Sequence, residues 1–254
     1  MNPTIELQLN HRSIRRFKEQ PLTREEVDLL VKVAASASTS SYMQACSIIS
    51  ITDPKLKHEL HQIGAQAFGK QEYIRDNGHL FVFVADTARN AEIAEEQGQE
   101  PIYQGSADRF LAAVYDATIA SQNLVVAAES LGMGVIYLGS ILNDTQKVVE
   151  LLQLPKYTFP VFALAVGYPD QTPDAKPRLP AAITHMENRY VPIRERKAEL
   201  AEYDQQLSEY YQARGDNARA ETFSHMATQY TRSQFAKRPD IAKVIKSQGF
   251  LGEI

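Results

Sequence analysis

Residues 109–131 (RFLAAVYDATIASQNLVVAAESL) run for about six helical turns without a proline or a glycine. The stretch is alanine-rich and almost wholly apolar, so it predicts a long buried core helix that stops at Gly132. Such a helix needs other layers around it, and the flanking sequence supplies them. Residues 80–85 (LFVFVA) form a continuous apolar run suited to a central strand buried on both faces. Residues 47–52 (SIISIT), 135–138 and 161–166 read as further short strands. Thr23 followed by Glu26 fits a capping box, with Val27, Leu30, Val31 and Ala34 at helical spacing behind it. Asp53-Pro54 opens another helix, and 143–152 predicts one more. Prolines at 169, 173, 177, 180 and 192 impose an extended path, after which 195–212 and 218–237 read as amphipathic helices broken at Gly215. The expectation is an α+β core over 1–168, a proline-rich arm over 169–194, and a helical excursion with tail over 195–254.

With 44% hydrophobic and 23% charged residues in 254, the chain can bury a sizeable core without staples. Its one cysteine, Cys46, allows no intrachain disulfide, which suits a reducing compartment. No signal-peptide core opens the sequence, and runs such as 80–85 are too short to span a bilayer. The expected location is the cytoplasm, away from membranes. A net charge of −4 argues against nucleic acid as a partner. That charge is uneven. Residues 1–188 hold 16 Lys and Arg against 22 Asp and Glu, a balance of −6, whereas 189–254 hold 11 against 9, a balance of +2.

Several familiar devices are missing. Gly132-Met-Gly134 begins like a dinucleotide fingerprint, but Tyr137 stands where the third glycine belongs, and the segment follows a helix and precedes a strand. His58 and His61 are better explained as a polar helix face than as metal ligands, and Cys46 as a small buried hydrophobe. The informative cluster is His11-Arg12-Ser13-Ile14-Arg15-Arg16-Phe17. In extended backbone Arg12 and Ile14 share one face, and His11, Ser13, Arg15 and Phe17 the other. Forked guanidinium donors beside a hydroxyl and an imidazole suit a phosphate monoester, although a solvated basic turn has the same composition. Three segments favour the ligand. Four hydroxyls follow one another at Ser38 to Ser41, Lys176 and Arg178 flank a proline, and Tyr137-Leu138-Gly139-Ser140 ends a strand on a residue with no side chain.

HRSIRRF, SASTSSYMQ at 36–44, AAESLGMGVIYLGS at 127–140 and KPRLP at 176–180 together resemble the flavin-dependent nitroreductase family. The likeness is to its NADPH-dependent branch of flavin reductases and oxygen-insensitive nitroreductases, and it extends to Tyr210, Tyr211 and Arg214. The resemblance implies a mostly antiparallel sheet flanked by helices, a C-terminal helical excursion, and a homodimer with two FMN sites at its interface. It implies that His11, Arg12, Ser13 and Arg178 hold the FMN phosphate, with Arg15 and Lys176 at the pyrimidine side. Thr39, Ser40 and Ser41 would reach in from the second subunit, Gln71 and Tyr73 would border the ring, and Tyr137, Leu138, Gly139 and Ser140 would lie near flavin N5. Ser140 departs from a second glycine common in the family, and 64–70 is longer than in some members.

Reduced flavin carries negative charge near N1 and the C2 carbonyl, which suits the cationic Arg15 and Lys176. Hydride transfer at N5 needs no side-chain nucleophile, in keeping with a sequence that carries no triad motif. The expected enzyme takes hydride from NADPH and reduces nitroaromatics, quinones or free flavin by a ping-pong mechanism. Its alternatives are a dedicated flavin reductase supplying reduced FMN, and a flavin-binding carrier without turnover. The positive tail adds a nucleotide expectation: Arg214 and Arg219 bracket the break at Gly215 and suit the 2′-phosphate of NADPH, with Arg238 a third candidate and Asp216 a competing tether.

Overall fold

The computed structural model describes residues 2–214, 218–232, 238 and 240–252. In chain order the regular elements are α1 (Pro3–Leu9), α2 (Arg24–Ala35), β1 (Cys46–Ile51), α3 (Pro54–Phe68), β2 (His79–Asp86), α4 (Ala88–Glu96), α5 (Ala107–Ser130), β3 (Gly134–Leu138), α6 (Thr145–Leu151), β4 (Thr158–Gly167), α7 (Ala181–Thr184), α8 (Lys197–Gln212), α9 (Phe223–Tyr230) and α10 (Ile241–Ser247). Residues Met1–Pro173 and Arg238–Ile254 form one compact unit and Asp174–Lys237 a second.

The first unit is built on a four-stranded sheet, ordered β1-β2-β4-β3 with every neighbouring pair antiparallel. All of β2 is buried, and its side chains alternate between two cores. Phe81 and Phe83 join α2 and α5 in a core with Leu30, Leu124 and Val125. Leu80, Val82 and Val84 join α3 and α6 in the other, with Leu60, Ile63, Ile141 and Val148. That is the period-two signature of a strand covered on both faces. The capping box forms as expected: Thr23 Oγ1 accepts from the Glu26 amide at 3.2 Å, and the Glu26 carboxylate accepts from the Thr23 amide at 2.7 Å.

Helix α5 starts at its N-cap Ser106 and ends where Gly132 takes φ +78°, a left-handed conformation that suits glycine. By length and composition it could cross a bilayer, but one face packs on the sheet like that of a core helix. It is not buried all round. Leu111, Tyr115 and Ile119, spaced four apart, are 47%, 56% and 45% exposed. Uniform apolarity hid this division, because the periodicity separates only an apolar face from a polar one.

Three other expectations shift. The 143–152 helix begins at Thr145, behind a 3-10 turn over Gly139–Asp144. The 218–237 helix contracts to Phe223–Tyr230, capped by Thr222, with 233–237 outside the described residues. The tail returns to the first unit, where Val244 and Phe250 pack with Ala85, Ala113 and Phe159. In the second unit, Tyr203, Leu207 and Tyr211 on α8 pack with Leu179, Phe223 and Met226.

Candidate functional site

The 11–17 segment lies along the sheet. Ser13 bridges Val135 of β3, the Ile14 amide donates to the Val135 carbonyl at 2.9 Å, and Phe17 bridges Pro169. The approach at Ile14 is tight: a Cβ on Gly134 would stand 2.4 Å from Ile14 Cγ1, so this strand must open on glycine. The side chains of the segment divide between two cavities. Arg12 and Ile14 line a cavity of about 230 Å³ with Asn10, Glu129 and Met133. Arg15, Arg16 and Phe17 line another of about 510 Å³ with Tyr73, so alternation does not separate these three. His11 departs from alternation too, since its Nδ1 lies 2.6 Å from Glu129 Oε1, at the Arg12 cavity. Arg16 is engaged by Asp170. Arg12 Nε is buried and has no hydrogen-bond partner among the described residues. A guanidinium nitrogen left so is costly unless a ligand satisfies it. Burial raises the pKa of Tyr73, and Arg15 beside it acts in the opposite direction.

A second group gathers at the end of β3. Gln71 is buried; its amide donates to the Gly64 carbonyl at 3.0 Å, and its Oε1 accepts from Ser140 Oγ at 2.6 Å. Ser140, the departure from glycine, thus fastens the 139–144 turn to the Gln71 segment. Asn143 donates to the Ile63 and Gly64 carbonyls and accepts from Arg238 Nε at 3.1 Å. The Arg238 guanidinium lies against Gly139, 3.7 Å from where a side chain there would begin. Gln71, Gly139, Ser140 and Arg238 therefore meet. Leu138 is buried in the core on the α3 side, whereas Tyr137 turns its ring toward α5. The Tyr137 hydroxyl lies 3.0 Å from Ser121 Oγ and 3.3 Å from Gln122 Oε1. Tyr137 thus leads into the turn by its backbone, while its side chain packs toward α5.

Thr39, Ser40 and Ser41 occupy a loop between α2 and β1, with Ser40 and Ser41 exposed. Ser41, Tyr42 and Gln44 take φ of 50°, 61° and 51°, and Tyr42 is 80% exposed. Residues that sequence reasoning missed hold this loop: Asp116 of α5, and Arg89 and Asn90 of α4. Asp116 had a signal, being the one charged residue between Phe110 and Ala128. Cys46 is partly buried; burial, aided by the charge of Asp116, pushes its thiol up to about 12, which leaves it unreactive. Both ring nitrogens of His61 are buried without a partner, and among the described residues no three His, Cys, Asp or Glu gather as a metal site.

In the second unit the cations converge on Tyr211. Lys176 Nζ lies 5.1 Å from its ring centroid, Arg219 Cζ 4.3 Å and Arg214 Cζ 5.8 Å. Arg219 Nε is 3.5 Å from Glu221, which also holds His225 Nδ1 at 2.6 Å. Arg178 donates to the Lys176 carbonyl, and the Tyr203 hydroxyl donates to that of Pro177, which pins the proline segment to α8. Gly215 and Asp216 lie outside the described residues.

Known proteins share this architecture. The description "Nitroreductase family" matches residues 9–168, and "Nitroreductase family, C-terminal domain" matches 176–253. An FMN reductase (NADPH) of Bacillus subtilis is 42% identical over 252 residues, 98% of this chain and 99% of that protein. An oxygen-insensitive NADPH nitroreductase of Salmonella typhimurium is 40% identical over 251 residues, with the same shares covered. The solved NfrA1 nitroreductase of B. subtilis superposes with a TM-score of 0.90 at 42% identity, over 97% of this chain and 98% of that one. With both family descriptions in chain order and relatives at 40–42% identity over 98% of the chain, it belongs to the nitroreductase family.

Proposed function

We propose that the protein is an FMN-dependent oxidoreductase that takes hydride from NADPH and reduces nitroaromatics, quinones or free flavin. The carrying observation is Arg12, whose buried Nε has no partner among the described residues and sits next to Ser13, which bridges to β3. A phosphate monoester would satisfy that donor. FMN, when bound, supplies hydride acceptance and donation at N5, so the chain need only bind, orient and balance charge. His11, Arg12, Ser13 and Arg178 hold its phosphate. Arg15 and Lys176 place positive charge at the pyrimidine side. Gln71, Tyr73 and the backbone of 137–140 border the ring, with the Ser140–Gln71 bond making that border stiff. Arg214 and Arg219, unlike a lone surface arginine, share one aromatic ring with Lys176, and this concentration of charge suits the 2′-phosphate of NADPH. Arg238, bonded beside Gly139, is the third nucleotide contact.

The exposed stripe Leu111, Tyr115 and Ile119 supports a homodimer in which Thr39, Ser40 and Ser41 complete the other subunit's flavin site. In domain terms, 1–168 carries FMN, 169–194 is the connecting arm, and the later arginines carry nucleotide contacts. With one cysteine and no possible intrachain disulfide, the cytoplasm is the fitting location. The named FMN reductase among the relatives favours a second reading, supply of reduced free FMN, which kcat/KM for FMN against a quinone and a nitroaromatic separates.

The test is spectroscopic. Under anaerobic conditions NADPH should bleach the bound yellow flavin, and a quinone should restore the colour. A flavin that NADPH leaves oxidised would make the protein a carrier. FMN should also bind at least about tenfold more tightly than riboflavin, since each charge-assisted bond contributes about 1.5–3 kcal/mol. Equal affinities would remove the phosphate assignment.

A further inference from the structure

Asp116 is a carboxylate where an apolar residue would be expected. It lies in the middle of α5, is 1% exposed, and no ion pair reaches it among the described residues. Both its oxygens are spent on backbone. Oδ1 accepts from the Ser40 amide at 2.8 Å and Oδ2 from the Ala45 amide at 2.9 Å. These donors stand at the two ends of the short loop that contains Ser41, Tyr42 and Gln44 in left-handed conformations. Such conformations are costly in residues with a side chain and persist only where surroundings impose them.

Packing does not impose them here. Tyr42 and Met43 are exposed, and the loop is undercut by cavities of about 300 Å³ and 140 Å³, both of which Asp116 lines. Hydrogen bonds remain. Besides Asp116, Asn90 Nδ2 donates to the Met43 carbonyl at 3.1 Å, and Arg89 to the carbonyls of Gln44 and Cys46. The carboxylate is the part of this clamp that grips both ends at once, and charge-assisted bonds are the strong ones. It also ties the loop to α5, the helix whose exposed stripe includes Tyr115 and Ile119, one and three residues from Asp116.

We propose that Asp116 is a positioning residue for flavin binding in trans: it holds Ser40 and Ser41 in the conformation that completes the other subunit's FMN site, with Asn90 as its auxiliary. The inference rests on the flavin reading above and adds to it the device that shapes the loop. Asp116 touches no flavin atom in this scheme. An aspartate is required because two convergent amides need two acceptors, whereas the isosteric asparagine offers one acceptor and turns a donor on the other amide.

The experiment uses full-length dimers differently tagged and co-expressed, with FMN titrated fluorimetrically. Asp116→Asn should remain dimeric and bind FMN at least about tenfold more weakly, and Arg12→Ala should weaken binding comparably. The mixed dimer of the two variants is decisive. One of its sites combines an intact Arg12 with an intact loop from the other chain, so it should bind one FMN per dimer at wild-type affinity. Weak binding at both sites of the mixed dimer would overturn the proposal, because Asp116 would then act within its own chain. So would wild-type affinity in the Asp116→Asn homodimer, or its dissociation to monomers. If Asp116→Asn does not fold, Asn90→Ala replaces it and should weaken FMN binding about two- to threefold with the melting temperature held; unchanged affinity there would also overturn the proposal. Loss of FMN preference over riboflavin in the wild type would instead sink the flavin reading, and this inference with it.

Discussion

Tyr211 gathers Lys176, Arg214 and Arg219 within 6 Å of its ring, against the Glu221 carboxylate beside Arg219, which His225 shares. If that surplus receives the NADPH 2′-phosphate, Arg214→Ala/Arg219→Ala should lower kcat/KM for NADPH about a hundredfold, with NADH nearly unaffected. An unchanged ratio of the two nucleotides would remove these arginines from the mechanism. A different residue bears on the acid sensitivity of the fold. His79 is buried, its Nε2 has no partner among the described residues, and burial together with the charge of Lys57 holds its pKa down to about 4 from 6.5. Above pH 6.5 it is neutral folded or unfolded. Between 6.5 and 4 the unfolded chain takes up a proton that the folded one refuses, so stability falls with pH through that window, by up to about 3 kcal/mol. Urea titrations at pH 7.5 and 4.5 should show His79→Gln losing less stability than wild type; equal losses would assign the acid sensitivity elsewhere. At this scale sequence reading caught residue type and the pairing of Arg12 with Ile14, but not that Arg16 shares a cavity with Arg15 and Phe17. It missed Asp116, whose partners lie 76 and 71 residues away.

Helix α5 shows what periodicity conveys and what it does not. Its existence and its glycine stop were legible because both are local: no breaker inside, Gly132 after the end. Its exposed apolar face was not, because apolar residues on every side give no contrast between core and surface. The stripe therefore carries the oligomeric prediction. Tyr115→Lys/Ile119→Lys should leave a folded monomer by light scattering, since both positions are solvent-facing in the single chain, and FMN affinity should fall with the shared site. A dimer that persists would place the interface on another face. Helix α2 offers a local contrast. Its capping box was read from Thr23 and Glu26 alone, and Thr23→Ala should cost about 1 kcal/mol in urea unfolding, whatever the dimer does.

At the scale of the molecule, the C-terminal return is the feature least visible in sequence. Phe250 is 1% exposed, with its ring 4.9 Å from that of Phe110 and edge-on to Tyr157 at 6.3 Å. Phe250→Ala should cost about 3–5 kcal/mol of stability in urea, the range for an emptied aromatic core site. A loss below about 1 kcal/mol would mean that the tail merely lies on the surface. The pattern of residues by itself determined the strands, the capped helices, the doubly covered β2 and, through a family resemblance, the α+β architecture. Those features depend on side-chain period, caps and breakers within a few residues of one another. Tertiary structure alone decided the strand order β1-β2-β4-β3, the return of Phe250, the Ser140–Gln71 bond, the grip of Asp116 on Ser40 and Ala45, and the gathering of three cations at Tyr211. Each of these joins residues far apart in the chain, and which of many chemically equivalent partners a buried polar group meets is settled only when the cores between them close.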